Sequence, residues 1–210
     1  MADSVIYSNF NLDGTYFAGG SPVAGASTDL GYISSAMGFV PNDTFQLTQI
    51  TVGVQWFSQV SPTNSVTFSL TTNNGGIPGA VLGIWTFTNL PVFGTTDSIV
   101  QTMVFAPGIV LQKNQLYWLW ATPTTPNAAA VWGDNNVGML GPAVQQFAGG
   151  RWNGIGAIVS NSAFEARGTL IPEPSTLLLV GTGFLGMLAV ARRSPRHPKA
   201  VASRDAYRPS

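Results

Sequence analysis

The sequence predicts an all-β fold, a jelly-roll-like antiparallel β-sandwich, followed by a single C-terminal transmembrane helix. Up to residue 170, apolar and polar residues alternate with a period of two in short runs. Clusters of Gly, Pro, Asn and Thr separate these runs, and no long stretch has helical spacing. Near the end of the 210-residue chain, an uncharged apolar run precedes a basic block.

The clearest alternation lies in residues 49–56, where the even-numbered positions are apolar and the odd-numbered ones polar or Gly. Residues 66–70 alternate in the same way and are followed by the turn signal Asn-Asn-Gly-Gly at 73–76. We expect these two runs to form an antiparallel pair. Many short strands with regular turn signals are typical of a sandwich rather than an α/β enzyme. Further strands are predicted at 81–88, 98–105, 115–121, 129–132, 157–160 and 164–170.

Residues 175–191 contain no charged side chain and predict the transmembrane helix. At ~1.5 Å per residue the run spans about 25 Å, slightly less than the ~30 Å hydrocarbon core. Snorkelling of Arg192 and Arg193 or local thinning accommodates the difference. Six of the nine Lys and Arg residues lie beyond the run, and such clusters stay cytoplasmic, so residues 1–170 should face outward. The alternative, a buried core helix, is disfavoured by the length, the glycines and the terminal position of the run.

Composition separates an acidic body from a basic tail. Residues 1–170 contain three Lys or Arg and seven Asp or Glu, a net charge of −4, which makes nucleic acid an unexpected partner. The chain has no cysteine, so neither disulfides nor thiolate metal sites are available. The body is long enough to form one domain with a sizeable core. We therefore predict a domain at 1–170, a signal segment at 171–193 and a basic cytoplasmic tail at 194–210.

The signal segment has a specific order of parts. Pro172-Glu173-Pro174, a Ser-Thr-Leu-Leu-Leu run, a Gly-rich apolar stretch and Arg192-Arg193 follow one another without a spacer. This order resembles the PEP-CTERM sorting signal of Gram-negative bacteria. The resemblance implies that an exosortase-type membrane protease cuts near Pro-Glu-Pro while the chain is held in the inner membrane. The body is then released or re-anchored at the cell surface, often in organisms that make exopolysaccharide. The same family is also labelled an ice-binding-protein C-terminal segment, which by itself says nothing about ice.

Two features depart from that family. Its members usually end a few residues after the basic cluster, whereas 194–210 continue here. An outward-facing body also needs an export signal, yet residues 1–4 (Met-Ala-Asp-Ser) begin without a basic region and an apolar stretch. Because an Ala-Asp junction often follows a signal-peptidase site, we expect a truncated start. The alternative is a tail anchor, which would leave the body in the cytoplasm.

A second resemblance covers part of the body. Residues 68–91 contain a strand, a Gly-Ile-Pro-Gly turn and a second strand, and residues 116–120 read Leu-Tyr-Trp-Leu-Trp. Both segments are similar to "choice-of-anchor" extracellular domains. The resemblance implies an extracellular β-sandwich and a surface setting, and it identifies no functional residue.

The body offers little for catalysis. The single histidine, His197, lies in the tail, so no imidazole is available for a triad, a general base or a metal ligand. Glu165 is the only glutamate of the body and is predicted to be an outward residue near Arg167 rather than half of a glycosidase pair. Asp134-Asn135-Asn136 lacks the spacing of a calcium loop and predicts a polar turn. We expect no catalytic residue, no cofactor and no metal site, and hence a protein that is not an enzyme.

Tryptophans give the one positive binding signal, because aromatic faces stack on sugar rings. Alternation places Trp56, Trp118 and Trp120 in the core, whereas Trp132 and Trp152 lie beside glycines in loop-like sequence, are predicted to be exposed, and are the candidate ligand-binding residues. The favoured function is a non-enzymatic exported surface or extracellular-matrix protein. The alternatives are an exopolysaccharide-binding module, a carboxylate-dependent hydrolase and an ice-binding protein.

Overall fold

The computed structural model describes residues 3–95, 100–105, 108–154 and 160–172. The chain divides into two units, Met1–Ile171 and Pro172–Ser210. All described residues except Pro172 belong to the first unit.

No helix in the described ranges has the length and apolar character needed to cross a membrane. The predicted transmembrane helix at 175–191 lies outside those ranges, as does the predicted strand at 157–160 apart from its last residue. The transmembrane helix therefore stays a prediction.

The described part of the chain is all-β, as predicted, and contains no helix. Its strands are β1 (Ser4–Ser8), β2 (Phe17–Ala24), β3 (Ile33–Phe39), β4 (Phe45–Val52), β5 (Val54–Trp56), β6 (Ser65–Asn74), β7 (Ile77–Thr88), β8 (Gln101–Val104), β9 (Val110–Leu111), β10 (Tyr117–Pro123), β11 (Ala129–Asp134), β12 (Ala143–Phe147), β13 (Trp152–Gly154) and β14 (Phe164–Leu170).

These strands form two antiparallel sheets. Sheet A has the order β1-β14-β4-β8, and β9 also pairs with β4. Sheet B has the order β5-β11-β2-β3-β10-β6-β7, and β12 joins β3 to β13. In sheet B, β2 and β3 share a single residue pair, Ala24 with Ile33, whereas β3 pairs over five residues with both β10 and β12.

Side chains from both sheets meet in one hydrophobic core, which gives a β-sandwich-like arrangement. Sheet A contributes Ile50 and Phe164, and sheet B contributes Phe68, Leu119 and Trp132, all of them fully buried. Burying an apolar side chain of this size stabilises the fold by roughly 1.5–3 kcal/mol. The two apolar faces predicted from alternation therefore belong to one shared core. The jelly-roll connectivity stays a prediction.

Local predictions agree with the structure where strands are continuous. β6 and β7 form a hairpin whose turn contains Gly75 and Gly76, both with positive φ (62° and 93°), a conformation that glycine adopts without strain. The predicted strand at 164–170 has the same bounds as β14.

The predicted pairing of residues 49–56 with 66–70 is wrong. The first run is broken at Gly53: β4 pairs with β14 and β8 in sheet A, whereas β5 pairs with β11 in sheet B. The ring of Tyr16 fills the space beside Gly53, so a Cβ there would lie only 2.6 Å from the ring atom Cδ1. Residues 66–70 belong to β6, which pairs with β10 on one side and with β7 on the other.

Strand β3 gives no alternating signal. β3 is buried at every position because it lies between β10 and β12 within sheet B and is covered on both faces. A strand covered on both faces is not forced to alternate apolar with polar residues. The sequence therefore does not predict β3.

Candidate functional site

The sorting segment follows directly on sheet A. After β14, the Ile171 backbone N–H donates to the Thr44 carbonyl at 2.9 Å. Pro172 is exposed and has no N–H with which to continue such bonding. The remaining predicted sorting residues lie outside the described residues: Glu173, Pro174, Arg192 and Arg193.

The predicted exposure of Trp132 is wrong. Trp132 is 0% exposed, and its Nε1–H donates to the Ala163 carbonyl at 3.0 Å. Its ring lies edge-on to Phe68 at a centroid distance of 5.0 Å. The missed signal is the uninterrupted apolar run Ala-Ala-Ala-Val at 128–131, which indicates a strand buried on both faces. Trp132 is a core residue and cannot meet a ligand from solvent.

Trp152 is half-buried and packs on the outer face of sheet B. Its ring is T-shaped against that of Trp120, with centroids 5.5 Å apart. Trp118 is buried and Trp120 is half-buried, but they belong to a second cluster, with Ala36, Val144 and Trp152, on the outer face of sheet B rather than between the sheets. Leu119, between them in sequence, faces the shared core instead. Trp56, also predicted to be a core residue, is half-buried and packs against the shared core.

Hydrogen bonds fix the orientation of the two indoles from β10. The Trp118 Nε1–H donates to Asn73 Oδ1 at 3.0 Å, and the Trp120 Nε1–H donates to Ser34 Oγ at 3.0 Å. Asn73 Oδ1 also accepts the Gly76 backbone N–H at 2.9 Å, which ties the β6–β7 turn to Trp118. Both indole donors are satisfied within the protein.

A cleft, here called the outer cleft, opens beside this aromatic cluster. It has a volume of about 500 Å³, and its lining includes Leu116, Trp118, Pro142, Val144 and Gly154. A smaller, more polar pocket of about 230 Å³ adjoins it at Leu116. The side chains lining that pocket include Thr72, Asn73 and Gln115. None of the residues that line the two depressions is charged.

Asp134 is the last residue of β11 and is followed by Asn135. Burial raises the pKa of the Asp134 carboxyl to about 6, and its buried Oδ1 has no hydrogen-bond partner among the described residues. Asn135 is buried, and its Nδ2 donates to the carbonyls of Met139 at 2.8 Å and Asn161 at 2.7 Å. Its Oδ1 accepts the Met139 N–H at 2.8 Å. Asn135 thus closes the loop over 135–139, where the sequence predicts a polar turn.

Glu165 forms an ion pair with Arg167, its neighbour on the same face of β14. Both side chains keep partial contact with solvent, with 19% and 39% of their areas exposed, as expected for an outward strand pair. In the part of the chain that the structure describes, no group of three His, Cys, Asp or Glu side chains could hold a metal ion.

Comparison with known proteins identifies the terminal segment. Residues 170–193 match the PEP-CTERM protein-sorting motif, which covers a small part of the chain. No curated protein matches the chain. The motif implies processing by an exosortase-type membrane enzyme, with membrane-anchored sorting before export to the cell surface. At its C-terminal end the chain therefore carries a PEP-CTERM motif, which indicates exosortase-dependent sorting of a secreted surface protein.

Proposed function

We propose that the protein is a non-enzymatic surface or extracellular-matrix protein, cut by an exosortase near Pro172-Glu173-Pro174. The observation that carries the proposal is the motif match at 170–193, which begins at the last residue of β14. Every strand of the two sheets ends before Pro172. A cut beyond Pro172 therefore leaves the strands and the shared core intact.

The chemistry of the body supports a role other than catalysis. Its sequence contains no histidine and no cysteine up to residue 170. Its single glutamate, Glu165, is paired with Arg167.

Expression of the full chain behind a signal peptide tests the sorting. In a host with an exosortase, we expect the surface protein to lack Arg192–Ser210 by intact mass, and in an exosortase-deleted host to retain it. Glu173→Ala should block processing, whereas Asp205→Ala, which removes one negative charge from the tail, should not. A surface protein that still contains Arg192–Ser210 in the exosortase host would contradict the proposal.

Carbohydrate binding is a second candidate function, and the outer cleft favours it. A half-buried tryptophan pair and an apolar cleft lie on the outer face of sheet B, and the neutral polar pocket adjoins the cleft at Leu116. Sugars have apolar ring faces and hydroxyl edges, which such a surface matches. Binding of a neutral polysaccharide that is lost in Trp152→Ala and kept in Leu12→Ala, a loop control, would support it. Equal binding by both variants would show that the Trp120–Trp152 pair does not contribute to polysaccharide binding.

A further inference from the structure

We propose that strand β7 is a self-association edge, through which two copies of the chain pair antiparallel. The inference deepens the proposed matrix role, and in that sense rests on it, because it names a second copy as the partner of the displayed domain.

β7 differs in length from the other strands at the ends of the sheets. It has twelve residues, and among the described strands it pairs with β6 alone. The other terminal strands are short: β1 has five residues, β8 four, and β5 and β13 three each. Short edge strands are one way in which proteins prevent unwanted strand pairing. β7 lacks this protection.

β7 also lacks charged side chains. The sequence contains no Asp, Glu, Lys, Arg or His from Thr44 to Thr96, although edge charges are a common block to pairing. Pro78 and the register shifts of the β6–β7 pair lie toward the hairpin turn. From Gly83 to Thr88 the register with β6 is unbroken. This half of β7 is therefore a regular, uncharged edge.

The inner side of the edge is anchored. Trp85 lies against Phe105 with ring centroids 4.1 Å apart, and Phe87 lies edge-on to Phe68 at 6.0 Å. On the outer face, Ile84 is 60% exposed. Because core packing already holds the backbone extended, pairing with another strand needs little further ordering and carries a small entropy cost.

A second copy fits this edge better than a charged partner does. Antiparallel pairing of an edge with itself creates a two-fold axis, so that the same residues contribute from both sides. An axis at Trp85 sets Ile84 of each copy opposite Thr86 of the other. Pairs of β-branched residues across strands are favourable, and no like charges meet. A charged partner strand would find no counter-charge on β7.

The cysteine-free chain allows a direct test by single-cysteine crosslinking. Ile84→Cys and Thr86→Cys place one thiol on β7, and Val104→Cys places one on β8 at a position that is 74% exposed. The purified uncut chain is oxidised under mild conditions in detergent. We expect disulfide-linked dimer from the β7 variants, most of all when the two are mixed, and little from Val104→Cys. Thr86→Lys in the Ile84→Cys chain should lower self-association roughly tenfold, whereas Leu12→Lys should not.

Crosslinking of the β7 variants at or below the Val104→Cys level would overturn the proposal, as would equal effects of Thr86→Lys and Leu12→Lys. The circular dichroism spectrum of each variant confirms that it is folded before oxidation. Because the uncut chain is used, failure of self-association is distinct from failure of sorting, which is read from the loss of Arg192–Ser210.

Discussion

Gly133 donates its backbone N–H to the Gly53 carbonyl at 2.8 Å, at the point where the chain passes from sheet A to sheet B. The ring of Tyr16 covers both glycines. A Cβ would lie 2.6 Å from ring atom Cδ1 at Gly53 and 2.3 Å from Cδ2 at Gly133. Ala163 bonds to both, since its carbonyl accepts the Gly53 N–H and its N–H donates to the Gly133 carbonyl. These contacts join β4, β5, β11 and the segment before β14.

Gly133→Ala should lower the free energy of unfolding by about 1–3 kcal/mol through overpacking. The added Cβ meets the Tyr16 ring and lies 2.8 Å from the Phe17 carbonyl oxygen, a backbone atom that cannot rotate away. Gly154→Ala is the matched control, because no atom lies within 4 Å of its Cβ. We expect it to change stability by about 0.5 kcal/mol or less. Urea unfolding followed by tryptophan fluorescence measures both, and equal losses would contradict the packing argument.

Trp132→Phe should destabilise the fold by about 1–2 kcal/mol. The substitution removes the indole donor to Ala163 and leaves space beside Phe68. The Ala163 carbonyl still accepts the Gly53 N–H at 3.1 Å and is not left unpaired, which limits the loss. Trp152→Phe, at a half-buried position, should lower the free energy of unfolding by a smaller amount. Chemical denaturation compares the two, and a larger loss at Trp152 would show that Trp132 does not anchor the core.

Asp134→Asn should change how stability depends on pH. The folded-state pKa of Asp134 is about 6, raised by burial from 3.8. Well below pH 3.8 the carboxyl is protonated in both the folded and the unfolded state, so its burial carries no ionisation penalty. As pH rises toward 6, the carboxyl of the unfolded state loses its proton first, so the free energy of unfolding falls. Above about pH 6 the carboxyl is ionised in both states and the free energy of unfolding falls no further. The amide introduced by the substitution cannot ionise and avoids this loss.

Relative to the native chain, Asp134→Asn should therefore gain about 1–2 kcal/mol between pH 4 and pH 7, a figure reduced for the solvent that reaches the group. Unfolding in urea at the two pH values measures the gain. Asp29→Asn, at an exposed turn, controls for the removal of one negative charge. A stability difference between Asp134→Asn and the native chain that stays constant with pH would contradict the prediction.

Sequence patterns predicted those elements that have one polar face or a defined turn. The β6–β7 hairpin and β14 are examples, since alternation and Gly residues are local signals. β3 was not predicted, because a strand buried on both faces has no alternation to read. The burial of Trp132 was not predicted although the apolar run at 128–131 indicates it. The outer cleft combines residues of β10, β12 and the β6–β7 turn, so it cannot be predicted from any single stretch of the sequence.

The sequence by itself determined the all-β class, the lack of histidine and cysteine in the body and the PEP-CTERM motif at 170–193, because each is a matter of residue order or composition. Only the tertiary structure decided that the run at 49–56 is divided between two sheets, that Trp132 is buried, and that Trp118 and Trp120 pack in a cluster separate from the shared core. These outcomes depend on contacts between residues far apart in sequence, such as Tyr16 with Gly53 and Gly133. Alternation marks two faces of a strand, but the partners that cover each face decide which of them is the core.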